Sequence, residues 1–316
     1  MASQHDSKRI IDWKSRRGRG GRNYRPSTEL DSLLRAWNEN SENLGAFRDF
    51  IPIRLVTIIE VFVRDAVREA VDRGPPYIDR AERLVKGTKI DFLFAQNIQG
   101  KHISLGDIVA YSLSTNDITQ ILATFETLFP NFRTGICEVY DRVEVEIYGK
   151  PKRPIIGDID QLVNYLAKLF TARHIATHEL PVNAPYDLVD MPEFLRCAKE
   201  FIDATQEYLT NELDGHVPLT QTEMTEMAYD SLDKAERELE EVLTKVEELE
   251  GIDLNLLKMS QQKWNEFALA DAEFEASTVA GGSMGPMIFA GSKESLVRIR
   301  IDDLRKWIER EEGEIS

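Results

Sequence analysis

Residues 51–71 read IPIRLVTIIEVFVRDAVREAV, and this stretch predicts the fold. At helical spacing its apolar side chains leave little polar surface. The exception is one stripe that carries Glu60, Arg64 and Arg68. A helix that is apolar nearly all round lies at the centre of a helical protein. The segment DRGPP at residues 72–76 ends this helix.

Further segments with helical periodicity flank this stretch and predict an all-α protein. A helical segment starts at Glu29, and the other expected helices are residues 51–71, 115–129, 159–178, 194–213, 219–250, 252–276 and 293–312. Residues 139–148 alternate weakly, which predicts either a short strand or an extended segment. Residues 278–292 are expected to form a Gly-rich loop.

These elements predict two domains, since 316 residues can form two separate cores. Residues 29–213 are expected to form a helical bundle. Residues 219–312 are expected to form a smaller helical module of two or three long helices, and 214–218 a linker. Residues 1–28 are expected to be a disordered, Arg/Gly-rich basic arm, because they have almost no apolar content.

Composition indicates a folded protein of a reducing compartment. Of its residues 42% are hydrophobic, and Cys137 and Cys197 have no metal-ligand spacing. The absence of a long apolar run or an apolar N-terminal segment argues against membrane insertion and export. We therefore expect a cytoplasmic protein without a membrane partner.

Charge is distributed unevenly along this acidic chain, whose formal net charge is -16. The first 25 positions carry eight basic residues and two acidic ones, whereas the region after Thr220 is strongly acidic. The arm could contact RNA phosphates and bases, or it could be a solvated tail that binds nothing. The candidate RNA-contacting residues are Arg16, Arg17, Arg19, Arg22 and Arg25.

The candidate catalytic residues lie in residues 169–181, which read LFTARHIATHELP. Arg173, His174 and His178 fall at the end of an apolar helical run and before a proline. Arginine binds phosphate through a bidentate fork, and histidine transfers protons near neutral pH. The pattern therefore fits phosphodiester chemistry. It also fits a helix-end histidine pair that the helix dipole favours in its charged form.

The Arg173-x4-His178 motif resembles the signature of the HEPN superfamily of RNA-processing α-helical domains. The resemblance includes the polar residue His174 and the earlier apolar helix with embedded Glu60, and it covers about residues 45–212. It implies a metal-independent endoribonuclease that works as a homodimer, in a toxin or anti-phage role. As an alternative, it allows an inactive scaffold that binds RNA or a protein.

The expected chemistry assigns a role to each residue of the motif. Arg173 would neutralise the phosphate oxygens, and His178 would act as general base or general acid. His174, or His178 of a second subunit, would take the other role. Glu60 would need a cation if buried, and Arg173, Arg64 and Arg68 are candidates. Glu60 and Arg64 could thus support the site or form a structural ion pair.

Other site chemistries have weaker support. The order H-x-x-x-H-E is not the zincin order, and no third ligand follows at a familiar spacing. The glycines at 281–285 lack the lysine and the preceding strand of a phosphate-binding loop, and no serine nucleophile elbow is visible. We therefore expect neither a metal nor a cofactor.

The C-terminal module carries a second resemblance, to the N-terminal domain family of the periplasmic lysozyme inhibitor LprI. It covers about residues 219–309. Met227, Ala272 and the cysteine-free residues 290–293 stand where that family typically has cysteines, which suits a cytosolic copy. The resemblance implies a recognition or regulatory module, a structural appendage or, less favoured, an inhibitor of a cell-wall enzyme. The segments that carry it are LTQTEM at 219–224, YDSLDKAEREL at 229–239, QQKWNEF at 261–267, AEFEA at 272–276, GGSM at 281–284 and RIRIDDL at 298–304.

Overall fold

The computed structural model describes residues 2–17, 25–40, 50–85, 92–179, 188–279 and 281–309. Within these ranges the protein consists of helices and turns without strands, so the all-α prediction is confirmed. The helices are α1 Ala2–Arg17, α2 Arg25–Asn40, α3 Phe50–Asp72, α4 Tyr77–Ala81, α5 Phe92–Ile98, α6 Leu105–Ser112, α7 Ile118–Leu128, α8 Phe132–Glu138, α9 Ile159–His178, α10 Met191–Leu213, α11 Gln221–Glu247, α12 Leu254–Ser277 and α13 Gly285–Ile308. The chain divides into two compact units, residues 1–217 and 218–316.

Helix α3 is the central helix of the first unit, as its sequence predicts. It contacts α2, α4, α6, α7, α9 and α10, and Leu55, Ile59 and Phe62 are fully buried. An apolar helix surrounded by neighbours removes most of its surface from water, which is the main stabilising contribution in such a bundle. The other elements of the unit are therefore positioned around α3.

The expectation of a disordered arm is wrong for residues 2–17 and 25–28, which belong to α1 and α2. In α1, Ile10 is 1% exposed and belongs to a small apolar cluster with Phe94 and Ile108. Lys14 forms an ion pair with Asp107, whose side chain is buried. These contacts bury part of α1, which the low apolar content of the arm did not predict. Residues 18–24 lie outside the described residues.

The strand or extended segment expected at residues 139–148 is wrong for residues 142–147, because Arg142 is helical and Val143–Ile147 form one π-helical turn. The Asp141 carboxylate accepts a hydrogen bond from the backbone N–H of Glu144 at 2.9 Å. Arg142 forms a two-pronged ion pair with Glu146, with N···O distances of 3.0 and 3.1 Å. Contacts three and four residues apart favour a helical turn over a strand.

The second unit consists of α11, α12 and α13, with a core that includes Leu232, Leu239, Val297 and Ile301. Helix α13 begins at Gly285 and not at Lys293, so half of the expected Gly-rich loop is helical. Proline in the first turn is compatible with a helix start. Burial of Ala290 then offsets the poor helix propensity of the glycine that follows it.

Candidate functional site

The candidate catalytic residues lie in the last turns of α9. This helix begins after Asp158, whose Oδ1 accepts a hydrogen bond from the backbone N–H of Gln161 at 3.0 Å. It ends at His178, in agreement with the prediction of a helix over residues 159–178. Leu166 and Leu169 are fully buried and hold α9 against the core of the unit. These buried residues therefore fix the part of α9 that leads to Arg173.

Arg173 forms an ion pair with Glu60 of α3. Arg173 Nη2 donates to Glu60 Oε1 at 3.1 Å, and the two side chains are 25% and 14% exposed. Arg173, one of the three candidate partners of Glu60 named from the sequence, thus bonds directly to it. Because α3 and α9 are both anchored in the core, this bond orients the guanidinium while part of it stays accessible.

Arg64 of α3 makes a hydrogen bond to a residue outside that helix. Its Nη2 donates to Thr115 Oγ1 at 2.8 Å, and Thr115 is 2% exposed. Thr115 lies 51 residues along the chain, just before α7, and no local pattern in the sequence points to it. Arg68 lies one turn further along α3, and its Nη2 is 3.8 Å from Asp65 Oδ1. The Arg64–Thr115 bond joins α3 to the segment before α7, whereas the Arg68–Asp65 contact lies within α3.

His174 and His178 lie one turn apart and are both exposed. Their ring centroids are 4.9 Å apart, and the ring planes are tilted by 53°. On an ideal helix, His178 is rotated by about 140° from Arg173 around the axis, and His174 by about 100°. The arginine therefore faces α3 while both imidazoles face solvent, and the group forms an open surface at the helix end.

The candidate residues of the basic arm are partly outside the described residues. Arg16 is exposed near the end of α1. Arg17 is the last residue of α1, and Arg25 is the first residue of α2. Arg19 and Arg22 lie outside the described ranges, so the structure does not describe the arm as a continuous surface.

The cysteines do not form a reactive or metal-binding site. Burial raises the pKa of the Cys197 thiol to about 11, so it is protonated at neutral pH and a poor nucleophile. Burial also raises the pKa of Cys137. Across the part of the chain that the structure describes, no group of three His, Cys, Asp or Glu side chains is arranged to hold a metal ion.

Among the described residues of the second unit, two cavities lie between the helices. One has a volume of about 520 Å³, and Trp264, Leu269 and Lys293 are among its lining residues. Lys293 Nζ lies 2.7 Å from the carboxylate of Glu236 at this cavity. The other has a volume of about 410 Å³ and is lined partly by Arg300 and Trp307. The sequence patterns that predicted the three helices gave no indication of either cavity.

Comparison with known proteins identifies the second unit only. Residues 218–304 match the family model described as lysozyme inhibitor LprI, which agrees with the resemblance seen in the sequence. The match covers less than half of the chain and does not extend to α3 or α9. No curated protein and no solved structure matches the chain. None of the described helices is both long and apolar enough to cross a lipid bilayer.

Proposed function

We propose that the chain is a metal-independent endoribonuclease of the HEPN type, with the LprI-like unit as a recognition or regulatory module. The observation that carries this proposal is the Arg173–Glu60 ion pair at the accessible end of α9, a helix end that also carries two exposed histidines on its solvent-facing side. An oriented guanidinium binds a phosphate with little loss of side-chain freedom. The imidazoles on the solvent-facing side of the same helix end supply the groups that transfer protons.

In the proposed reaction, Arg173 binds the non-bridging oxygens of the scissile phosphate and stabilises the charge that develops in the transition state. One imidazole takes the proton of the ribose 2′-hydroxyl, and the O2′–P bond forms while the P–O5′ bond breaks. A second imidazole gives a proton to the departing 5′-oxygen. The products are a 2′,3′-cyclic phosphate and a 5′-hydroxyl, so DNA is not a substrate.

The exposed position of the histidines favours a site completed by a second subunit. His178 would serve as one proton-transfer group, and His174 or His178 of a second copy as the other. A homodimer with both helix ends in one cleft would also exclude water from the arginine. In this proposal the protein acts in the cytoplasm as a toxin or anti-phage effector, as the HEPN resemblance implies.

The proposed function is tested by incubating the full chain with total RNA in the presence of EDTA. We expect cleavage that Arg173→Ala and His178→Ala each reduce by about 100-fold or more, because each removes a group that acts in the transition state. Arg133→Ala and His102→Ala remove an exposed arginine and an exposed histidine elsewhere in the unit, and both should cut at the wild-type rate. Mass spectrometry of the cleaved RNA should show the mass of a 2′,3′-cyclic phosphate end.

Two outcomes would contradict the assignment. If Arg173→Ala and His178→Ala cut RNA as fast as wild type, the site is wrong. If folded wild type binds RNA without cutting it, the chain is an inactive HEPN-like scaffold.

A second candidate function follows from the family match of residues 218–304. In this alternative the second unit binds and inhibits a lysozyme or a related cell-wall enzyme, and its acidic surface favours a basic partner. The alternative predicts that the full chain slows lysozyme in a turbidity assay and that Arg173→Ala slows it equally. If a large molar excess of the chain leaves the lysozyme rate unchanged, this function is contradicted.

A further inference from the structure

The 410 Å³ cavity of the second unit has the character of a small-molecule site. It lies where the end of α11, the start of α12 and the second half of α13 meet. Its volume falls in the range of about 300–1,000 Å³ that is usual for ligand pockets. Most of its wall is apolar, and the apolar lining residues are Val246, Ile252, Leu256, Leu257, Leu304 and Trp307.

Arg300 places a positive charge in this apolar wall. Its Nε donates to Gln261 Oε1 and its Nη2 to Ser260 Oγ, both at 3.2 Å, so these partners are neutral. Burial lowers the pKa of Arg300, and the nearby charge of Asp303 partly offsets that effect. A cation held by neutral partners in a partly desolvated position favours an incoming anion.

The nearby carboxylates are engaged with other groups. Asp253 lines the cavity, but its Oδ1 accepts hydrogen bonds from the backbone N–H groups of Asn255 and Leu256 at the start of α12. Asp303 lies 2.7 Å from Lys306 Nζ. Neither contact provides Arg300 with a bonded counterion. The single acidic lining residue does oppose a second negative charge on a ligand, which favours a monoanion.

We infer that this cavity binds a small monocarboxylate with an apolar body. The carboxylate would accept hydrogen bonds from the Arg300 guanidinium and the Ser260 hydroxyl. The apolar body would lie against Trp307, Leu256 and Ile252. This site is independent of the proposed RNA chemistry, and it assigns to the LprI-like unit a ligand that could control it.

The inference is tested by calorimetric titration of the full chain with 3-phenylpropionate and, separately, with 3-phenylpropanol. The two probes share an apolar body and differ in the carboxylate. We expect saturable binding of the acid and at least about tenfold weaker binding of the alcohol, because a charge-assisted hydrogen bond is lost. Equal affinity for both probes, or no saturable binding of the acid, overturns the proposal.

Matched variants locate the site. Arg300→Gln should weaken binding of the acid by about tenfold or more, whereas Arg298→Gln, at an exposed arginine two residues away, should not. Leu256→Asp introduces a negative charge at an exposed position that lines the cavity, and it should also weaken binding of the acid. Phe274→Asp adds the same charge to α12 about 27 Å away, beyond the screening length, and should have no effect. Unchanged affinity in Leu256→Asp contradicts the site even if Arg300→Gln does not fold.

Discussion

The main effect of the ion pair between Arg173 and Glu60 is to orient the Arg173 guanidinium. With its side chains 25% and 14% exposed, it is neither a surface pair nor a sealed one. A solvent-exposed pair contributes about 1 kcal/mol or less to stability, whereas a buried carboxylate without a partner is costly. The pair therefore offsets the cost of placing the Glu60 carboxylate at a mostly buried position of α3. It also gives the guanidinium one preferred direction, which an arginine on a free helix end would not have.

Gly135 provides a test of packing at the level of one residue. A methyl group at this position would lie 2.6 Å from Cδ2 of Tyr208 and closer still to Cε2. Tyr208 is 6% exposed and makes edge contacts with Phe129 and Phe132, so its ring has little room to move. Overpacking of this kind costs about 1–3 kcal/mol, which exceeds the roughly 1 kcal/mol that alanine gains over glycine in a helix.

We therefore expect Gly135→Ala to destabilise the first unit and lower its midpoint in urea. The matched control is Gly157→Ala, because nothing lies within 4 Å of a methyl group there and no positive φ is required. If Gly135→Ala is as stable as wild type or more stable, α8 and α10 pack less tightly at this point than the structure indicates.

At the level of elements, the sequence predicts α3 and α9 well because their signals are local. The apolar run of residues 51–71 corresponds to the observed helix Phe50–Asp72, and the predicted helix 159–178 coincides with α9. In each case the helix bounds follow from periodicity, caps and breakers within a few residues. The three residues of the candidate motif could also be named from the sequence, since they share one helix end.

The elements that the sequence missed depend on partners far along the chain. Ile10 anchors α1 on Phe94 and Ile108, which lie more than 80 residues away. The composition of the arm therefore predicted disorder where the structure has a helix. The sequence named Arg173 among the candidate partners of Glu60, but no local pattern could select it. Arg64 has a suitable spacing on α3 itself, and only the packing of α9 against α3 brings Arg173 into contact. Tertiary contacts override local propensity in both cases.

For the whole molecule, the relevant feature is that the two units have separate hydrophobic cores. One core is centred on α3, and the other is formed by buried residues of α11 and α13 with partly buried side chains of α12. A core of its own is the condition for a unit to unfold cooperatively by itself. The candidate catalytic residues lie in residues 1–217, and the LprI match lies in residues 218–304. We therefore expect core mutations to change the stability of the two units separately.

Ile301→Ala tests this separation. The side chain is 2% exposed in the core of the second unit, and truncation of a buried isoleucine costs about 2–5 kcal/mol. In scanning calorimetry of the full chain we expect two transitions. Ile301→Ala should lower the one that residues 218–316 show when produced alone, by about 10 °C or more. Ile299→Ala, at a 55% exposed position of the same helix, should leave both transitions nearly unchanged. A single transition that moves as a whole in Ile301→Ala would show that the two cores unfold as one cooperative unit.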